Sequence, residues 1–470
     1  MQQRHTSFVP AWVKDAIFYQ IFPERFANGD PSNDPPGTEA WGGTPTPRNY
    51  FGGDLRGIIQ HLEYLSSLGI NALYLNPVFV SNSNHKYQTV DYMRIDPQFG
   101  DESTFVELIN SCHARKIRVI LDGVFNHTGV GFFAFADVKK NGASSRYKDW
   151  YFFKSLPVGP VNRPNYACWW DYGSLPKLNT ANPAVREYLY GVTRHWMALG
   201  VDGWRLDVPN EIPHEFWQEW RRLVKSINPD AYIVGEIWED GSPWLKGEEF
   251  DAVMNYRFRS ACSDFFAGKK STASEFDSAL AMQRSDYGPE VSMALLNLLG
   301  SHDTERFLTI CKGDTGAWRL AVLFQMTYVG APMIYYGDEV GMTGGKDPGC
   351  RGTMEWDASR QEKDMLEFVR QAVALRNAHP SLRGGSFDSL LPGQASDIYA
   401  FTRRSPSESI VVALNRGKRE RPVLLPPLPR GNSWKRLWPE LRGDAPSVRS
   451  GAMTTVAAGA GVVYIRVGEE

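Results

Sequence analysis

The sequence has few cysteines, no long apolar run and almost no net charge. Its five cysteines, Cys112, Cys168, Cys262, Cys311 and Cys350, are scattered, odd in number and never spaced C-x-x-C. That pattern argues against a disulfide framework and against a cysteine-built zinc site. No stretch approaches the ~20 consecutive apolar residues of a membrane span. The opening MQQRHTSFVPAWVKD has no apolar core of the kind a secretory leader carries. A reduced, soluble, cytoplasmic chain with no membrane partner is therefore expected. The 51 basic and 53 acidic residues leave a net charge of −2, which gives no electrostatic case for nucleic acid.

What is present is a chain of 470 residues, 42% hydrophobic and 22% charged, an ordinary globular balance with room for two or three domains. Its 15 Trp, 20 Tyr and 25 Phe suit sugar faces, although a large core is the plainer reading of such numbers. Eight short runs, almost continuously apolar, read as strands buried on both faces: 15–22, 71–79, 118–126, 201–208, 231–238, 252–256, 294–302 and 331–341. Helical text lies between them. Leu55, Ile58, Ile59, Leu62 and Leu65 form one stripe ended by Gly69, and Asn182-Pro183 opens another helix. Eight alternations predict a (β/α)8 barrel in an α/β fold.

The connection between the third and fourth strands is far longer than a βα loop. It is read as a small inserted domain over 128–175, which leaves the barrel as 1–127 and 176–380. After residue 380 the text turns to short alternating strands (DIYAFTRR, SIVVALNR, RPVLLPPL, GVVYIRVG), so 381–470 is expected to be a C-terminal antiparallel β-sandwich.

Barrel enzymes keep reactive groups where their strands end. Here the third strand ends in Asp122, Asn126 and His127, the fourth in Arg205 and Asp207, the fifth in Glu236 and the seventh in His302 and Asp303. Arg205 and Asp207, two residues apart, share one face of a strand. Several carboxylates at one mouth shift one another's proton affinities, the equipment of glycoside cleavage. An isolated Arg–Asp pair would read as structural; four strands contributing to one face favour chemistry.

With these residues in view, the chain resembles the α-amylase family of retaining glycoside hydrolases. The resemblance rests on GINALYLNPVF, DGVFNH, GWRLD, GEIW and GSHDTER in order and spacing. LPKLN (175–179), GEIWED (235–240) and DPGCRGTMEW (347–356) are similar to the cyclomaltodextrinase, neopullulanase and maltogenic amylase group. The resemblance implies Asp207 as nucleophile, Glu236 as acid/base and Asp303 as stabiliser of the transition state. It implies that Arg205 holds Asp207, that His127 and His302 bind the sugar at the cleavage position, and that Tyr87 stacks beneath it with His85 nearby. Asp347 and Arg351 would contact the next sugar, and Trp238 and Glu211 would line the acceptor side. Asp122 and Asn126 would support the site. For Trp169 and Trp170 in the insert, core packing and a sugar platform stay open.

The oxygen-rich loop Asn28, Asp30, Asn33, Asp34, followed by Gly52 and Asp54, resembles a structural Ca²⁺ site of this group, with a turn-rich loop as the alternative. Lys177 in LPKLN stands where another calcium ligand is often acidic, so a second calcium is not expected. The extra N-terminal domain usual in the group is not seen, so a monomer is the expected state, and Pro209 is unusual near the acceptor side. The implied activity is hydrolysis of α-1,4 bonds in cyclodextrins, maltooligosaccharides and pullulan or starch, with transglycosylation. The alternatives are a 4-α-glucanotransferase or an α-glucosidase on the same site.

Overall fold

The structure, a computed structural model, describes residues 8–390, 397–439 and 447–468. Residues 1–7 of the first expected domain, and 391–396, 440–446 and 469–470 of the last, lie outside the described residues. The chain divides into two compact units. One comprises Met1–Val13, Phe18–Met254 and Lys346–Glu355, the other Lys14–Ile17, Asn255–Gly345 and Trp356–Glu470.

The first unit is organised by six parallel strands: β1 (Phe18–Ile21), β2 (Ala72–Leu75), β3 (Arg118–Gly123), β4 (Gly203–Leu206), β5 (Tyr232–Gly235) and β6 (Ala252–Val253). They pair in the order β1-β2-β3-β4-β5-β6. Every residue of β1, β2, β4 and β5 is buried, which is why each reads as a solid apolar run. The register sets the chemistry: Asp122 pairs with Arg205, and Leu206 with Gly235. Pairing continues past the strand ends, where Asp207 N–H donates to Gly123 O (3.1 Å) and Glu236 N–H to Leu206 O (2.9 Å). Only glycine fits at 203, because a Cβ there would sit 2.2 Å from Tyr232 O. That contact seats β4 tightly against β5.

Asp54 caps the helix Leu55–Gln60 by accepting from Gly57 N–H. The single helix expected over this stripe is two, Leu55–Gln60 and Leu62–Ser67, with His61 at φ −106° and ψ 12° between them. The His61 ring reaches Gly57 O at 2.8 Å, an alternative to a continuous backbone ladder. The apolar stripe survives the break, with Leu55, Ile58, Leu62 and Leu65 buried. A hairpin of Phe79–Ser81 with Thr89–Ile95 follows β2 and was not apparent in the sequence.

Residues 128–175 carry the helix Phe133–Asn141. The lone bridge Phe153–Tyr166 folds the segment on itself, Cys168–Pro176 and Tyr151–Leu178 join it to the residues that follow, and His127–Lys177 pairs the two residues that flank it.

The second unit holds the parallel pair β7 (Leu296–Leu298) and β8 (Ala331–Tyr335). Its C-terminal part is an antiparallel sheet in the order Ser386–Ser389, Ile398–Arg404, Ser409–Asn415, Ala460–Gly468, Asn432–Trp438, Val448–Arg449. Trp434, Ile398, Val411, Val423 and Tyr464 are among the side chains of its core. Among the described residues no helix is long and apolar enough to cross a membrane.

Candidate active site

Arg205, with no exposed surface, stands at the centre of the first unit's polar cluster. Its Nη1 donates to Asp122 Oδ1 at 2.8 Å and to Asp207 Oδ1 at 3.0 Å. Its Nη2 lies 2.7 Å from Glu236 Oε2, an ionic contact rather than an aligned hydrogen bond. Burial opposes the cation, yet the charges of Asp122 and Glu236 and the Tyr74 and Tyr87 hydroxyls more than compensate, so Arg205 holds its proton even more firmly than a free guanidinium. Burial raises the Asp122 carboxyl, while Arg205 and the hydroxyls of Tyr74 and Tyr87 pull it back. Those hydroxyls donate to Asp122 Oδ2 at 2.7 and 2.8 Å. One cation thus binds three carboxylates in a water-poor setting.

Tyr87 is further fixed by Asn76 Nδ2 at 3.0 Å and lies beside His85, with ring centroids 5.7 Å apart and planes 27° apart. Trp238 is about half exposed and donates its indole N–H to Glu236 Oε1 at 3.1 Å. Val208, a β-branched residue at φ 44° and ψ 46°, directs its N–H towards Glu236 Oε2 at 3.4 Å. A left-handed β-branched residue is strained, and such strain gathers at functional sites. His127 Nε2 is buried, makes no hydrogen bond and lies 4.0 Å from Asp207 Oδ2. Burial, with Lys177 nearby, pushes the His127 pKa down to about 4 against an opposing backbone hydrogen bond near Tyr87. The ring is therefore neutral at pH 7.

The structure brings Asp207, Glu236, Arg205, His127, Tyr87, His85 and Trp238 into one connected cluster. Glu211 accepts from Lys177 Nζ at 2.7 Å and from Asn126 Nδ2 at 3.5 Å. Asp347 and Arg351 form their own pair at 3.0 Å. His302 and Asp303 belong to the second unit and pair at 3.1 Å. Sequence reasoning passed over Tyr74, Asn76 and Val208. Tyr74 and Asn76 could have been found as alternate residues at the end of β2, sharing a face.

The oxygen-rich loop has a mixed character. Among the described residues, no three His, Cys, Asp or Glu side chains gather as a metal cluster. Asp54 Oδ2 accepts from Asp30 N–H and Asn33 Nδ2, and Asp30 Oδ1 accepts from Ser32. Yet Asn28 Oδ1 and Asn33 Oδ1 are buried with no hydrogen-bond donor. Asn28 Nδ2 donates to Asp34 at 2.9 Å, and a Cβ at Gly52 would meet Asp34 Oδ1 at 2.2 Å. Two unsatisfied amide oxygens beside a carboxylate fit a hard, oxygen-seeking cation such as Ca²⁺.

A buried guanidinium at parallel strand ends thus gathers one carboxylate from each of three neighbouring strands, with a neutral histidine beside Asp207. The chain belongs to the α-amylase family: residues 20–384 match the family described as alpha amylase, catalytic domain. Neopullulanase 2 of Thermoactinomyces vulgaris is 52% identical over 429 residues, 90% of this chain and 73% of that protein. A cyclomaltodextrinase of a Bacillus species is 52% identical over 412 residues, 87% of this chain and 74% of its own length. Among solved structures, the cyclic α-maltosyl-(1→6)-maltose hydrolase of Arthrobacter globiformis superposes with a TM-score of 0.90 at 40% identity, covering 97% of this chain and 99% of that one. The protein is accordingly a glycoside hydrolase of the cyclomaltodextrinase and neopullulanase type. Its fold is the (β/α)8 barrel with a C-terminal antiparallel sheet.

The buried neutral His127 couples stability to pH. Its folded pKa lies below the ordinary 6.5, so the unfolded chain binds the extra proton first, and stability falls as pH drops from about 6.5 towards 4. The expected contribution is about 3 kcal/mol across that window. Denaturant unfolding of the parent and of His127→Asn at pH 7, 5.5 and 4.5 measures it. The variant should show the shallower acid loss.

Proposed function

We propose that the protein is a retaining α-glucan hydrolase that cleaves α-1,4-glucosidic bonds of cyclodextrins and maltooligosaccharides, with pullulan or starch as further substrates. In this reading Asp207 attacks the anomeric carbon and Glu236 first protonates the leaving oxygen. A covalent glycosyl–Asp207 intermediate forms, and Glu236 then takes a proton from the incoming water. An acceptor sugar in place of water gives transglycosylation. Asp303, on the resemblance of GSHDTER, binds hydroxyls of the distorted ring, and His302 assists. The unsatisfied Nε2 of His127 suits a sugar hydroxyl, and Tyr87, braced by Asn76 and Asp122, suits a sugar face. Asp347 and Arg351 serve the next sugar, and Glu211 and Trp238 the acceptor side.

The single observation that supports this best is that Arg205 reaches Asp207 through Nη1 and Glu236 through Nη2. Two carboxyls gripped by one guanidinium are close neighbours, as a retaining pair must be, since inversion leaves room for a water between them. The likeness to the Arthrobacter hydrolase favours a second reading of substrate, a ring that also contains α-1,6 links.

The test of the chemistry is trapping. A fluorinated maltosyl fluoride should add one glycosyl mass to a peptide containing Asp207, and Asp207→Asn should abolish the adduct. Glu236→Gln should keep the fold but lose at least about 10³-fold in turnover on natural glucans. Inversion of the released sugar's anomeric configuration would remove the reading. Parallel digests of β-cyclodextrin, pullulan, soluble starch and cyclic maltosyl-maltose rank the substrates.

We also propose a structural Ca²⁺ held by Asn28, Asn33 and Asp34 with the Gly52 backbone beside them, and with Asp30 and Asp54 ordering the loop. Bound only by the folded chain, the ion stabilises it by mass action. Chelation should lower Tm by several degrees in the parent, and Asn33→Ala should shrink that difference. An unchanged melting curve after chelation contradicts the proposal.

A further inference from the structure

The loop that carries His302 and Asp303 runs from β7 to the helix Phe307–Ile310. Short-range bonds give it its shape. Ser301 N–H donates to Thr304 Oγ1 at 3.0 Å, Asp303 N–H to Ser301 Oγ at 3.2 Å and Thr304 N–H to Ser301 O at 3.4 Å. Its place is set by two arginines. Arg259, on the helix Tyr256–Cys262, donates from Nε to Leu299 O at 3.0 Å and from Nη2 to Glu305 O at 3.2 Å. One guanidinium thus spans the two carbonyls that open and close the segment 299–305. Arg306, with no exposed surface, extends the grip. Its backbone N–H donates to Gly344 O at 3.0 Å, and its Nη1 donates to Tyr336 O and to Asp338 Oδ1, each at 2.7 Å. Gly344 N–H in turn donates to Thr309 Oγ1 at 2.8 Å.

A buried guanidinium bound to carbonyls alone would be a poorly compensated charge. Asp338 supplies the countercharge. It pairs with Arg306, and its carboxyl, pushed up by burial, is pulled back by the charges of Arg306 and Arg259 together. It also lies against the loop, since a Cβ at Gly300 would sit 3.0 Å from Asp338 Oδ2. The Tyr335 and Tyr336 rings flank the Arg306 guanidinium, 4.5 and 4.9 Å from its carbon. Ordering two arginine side chains costs rotamer entropy, and a short connection between a strand and a helix closes without such help. Exact placement of what the loop carries is the gain that accounts for them.

We infer that Arg259, Arg306 and Asp338 are positioning residues for Asp303, a clamp that fixes its carboxylate before substrate arrives. The inference rests on the reading of Asp303 as the group that stabilises the transition state. Such a group works only if it is already in place when charge develops. A fork that reaches the carbonyls at both ends of the loop fixes the loop's tilt as well as its position.

The test is a double-mutant cycle, with turnover of α-maltosyl fluoride measured so that its good leaving group keeps weak variants readable. Arg259→Met should lower kcat roughly a hundred-fold with KM changed little. A general loosening of the fold would cost the same factor in any background, whereas a clamp acting through Asp303 has nothing left to position once that carboxylate is gone. In the Asp303→Asn chain, Arg259→Met should therefore cost less than about three-fold more. Arg259→Lys keeps the positive charge near Asp338 but not the fork, and should also lose at least about ten-fold in kcat. Multiplying losses in the cycle overturn the clamp, as does a folded Arg259→Lys chain with parental kcat. An Asp303→Asn chain with parental kcat removes the role assigned to Asp303 and the clamp with it. Loss of turnover in Asp303→Asn beside unchanged turnover in both Arg259 variants removes the clamp alone.

Discussion

Burying one guanidinium among three carboxylates is the constraint on which the first unit's polar core depends. Removing an isolated charge from water is costly, and an ion pair in the interior offsets that only with good geometry and further hydrogen bonds. Arg205 meets the condition through contacts to Asp122, Asp207 and Glu236. Asp122 meets it through Arg205 and two tyrosine hydroxyls. Losing any member would leave a buried charge uncompensated. The network is therefore both a structural liability and the device that holds Asp207 and Glu236 in fixed positions.

That device follows from strand register. Because Asp122 pairs with Arg205 and Leu206 with Gly235, the residues just beyond β4 and β5 are Asp207 and Glu236, side by side. Gly203 allows β4 and β5 to approach, and the left-handed turn at Val208 aims a backbone N–H at Glu236. Preorganisation of this kind lets fixed dipoles and charges meet a developing transition state without rearrangement. The neutral His127 adds a hydrogen-bonding group without adding another charge to a crowded site.

Much of this was legible in the sequence, and the reasons are specific. Strands buried on both faces leave continuous apolar text, so all eight parallel strands were found. Asp207 and Glu236 were singled out because they end such runs, and the structure sets both against Arg205. Arg205 was read as the partner of Asp207 from their spacing, which is correct but partial. Its closest oxygen on Nη1 belongs to Asp122, 83 positions away, and only the pairing of β3 with β4 reveals that. The break at His61 was hidden because the apolar stripe runs through it unchanged. The strand Asn432–Trp438 was missed because it mixes Lys, Arg and Ser with its aromatics. Trp169 and Trp170 were noticed, but nothing in the letters WWDY announces left-handed backbone at Trp170 and Asp171. The unsatisfied oxygens of Asn28 and Asn33 likewise belong to packing, not to composition.

The central claim is that the forked guanidinium of Arg205 holds Asp207 and Glu236 in reactive positions. The most direct measurement is the kcat and KM of Arg205→Lys on β-cyclodextrin across pH, with the fold checked by circular dichroism. An ammonium keeps the charge but cannot bridge several carboxylates as a planar fork does. The account predicts a folded variant whose kcat falls at least about a hundred-fold, with KM changed little and the pH profile displaced. A folded Arg205→Lys enzyme with near-parental kcat and an unmoved pH profile would contradict it.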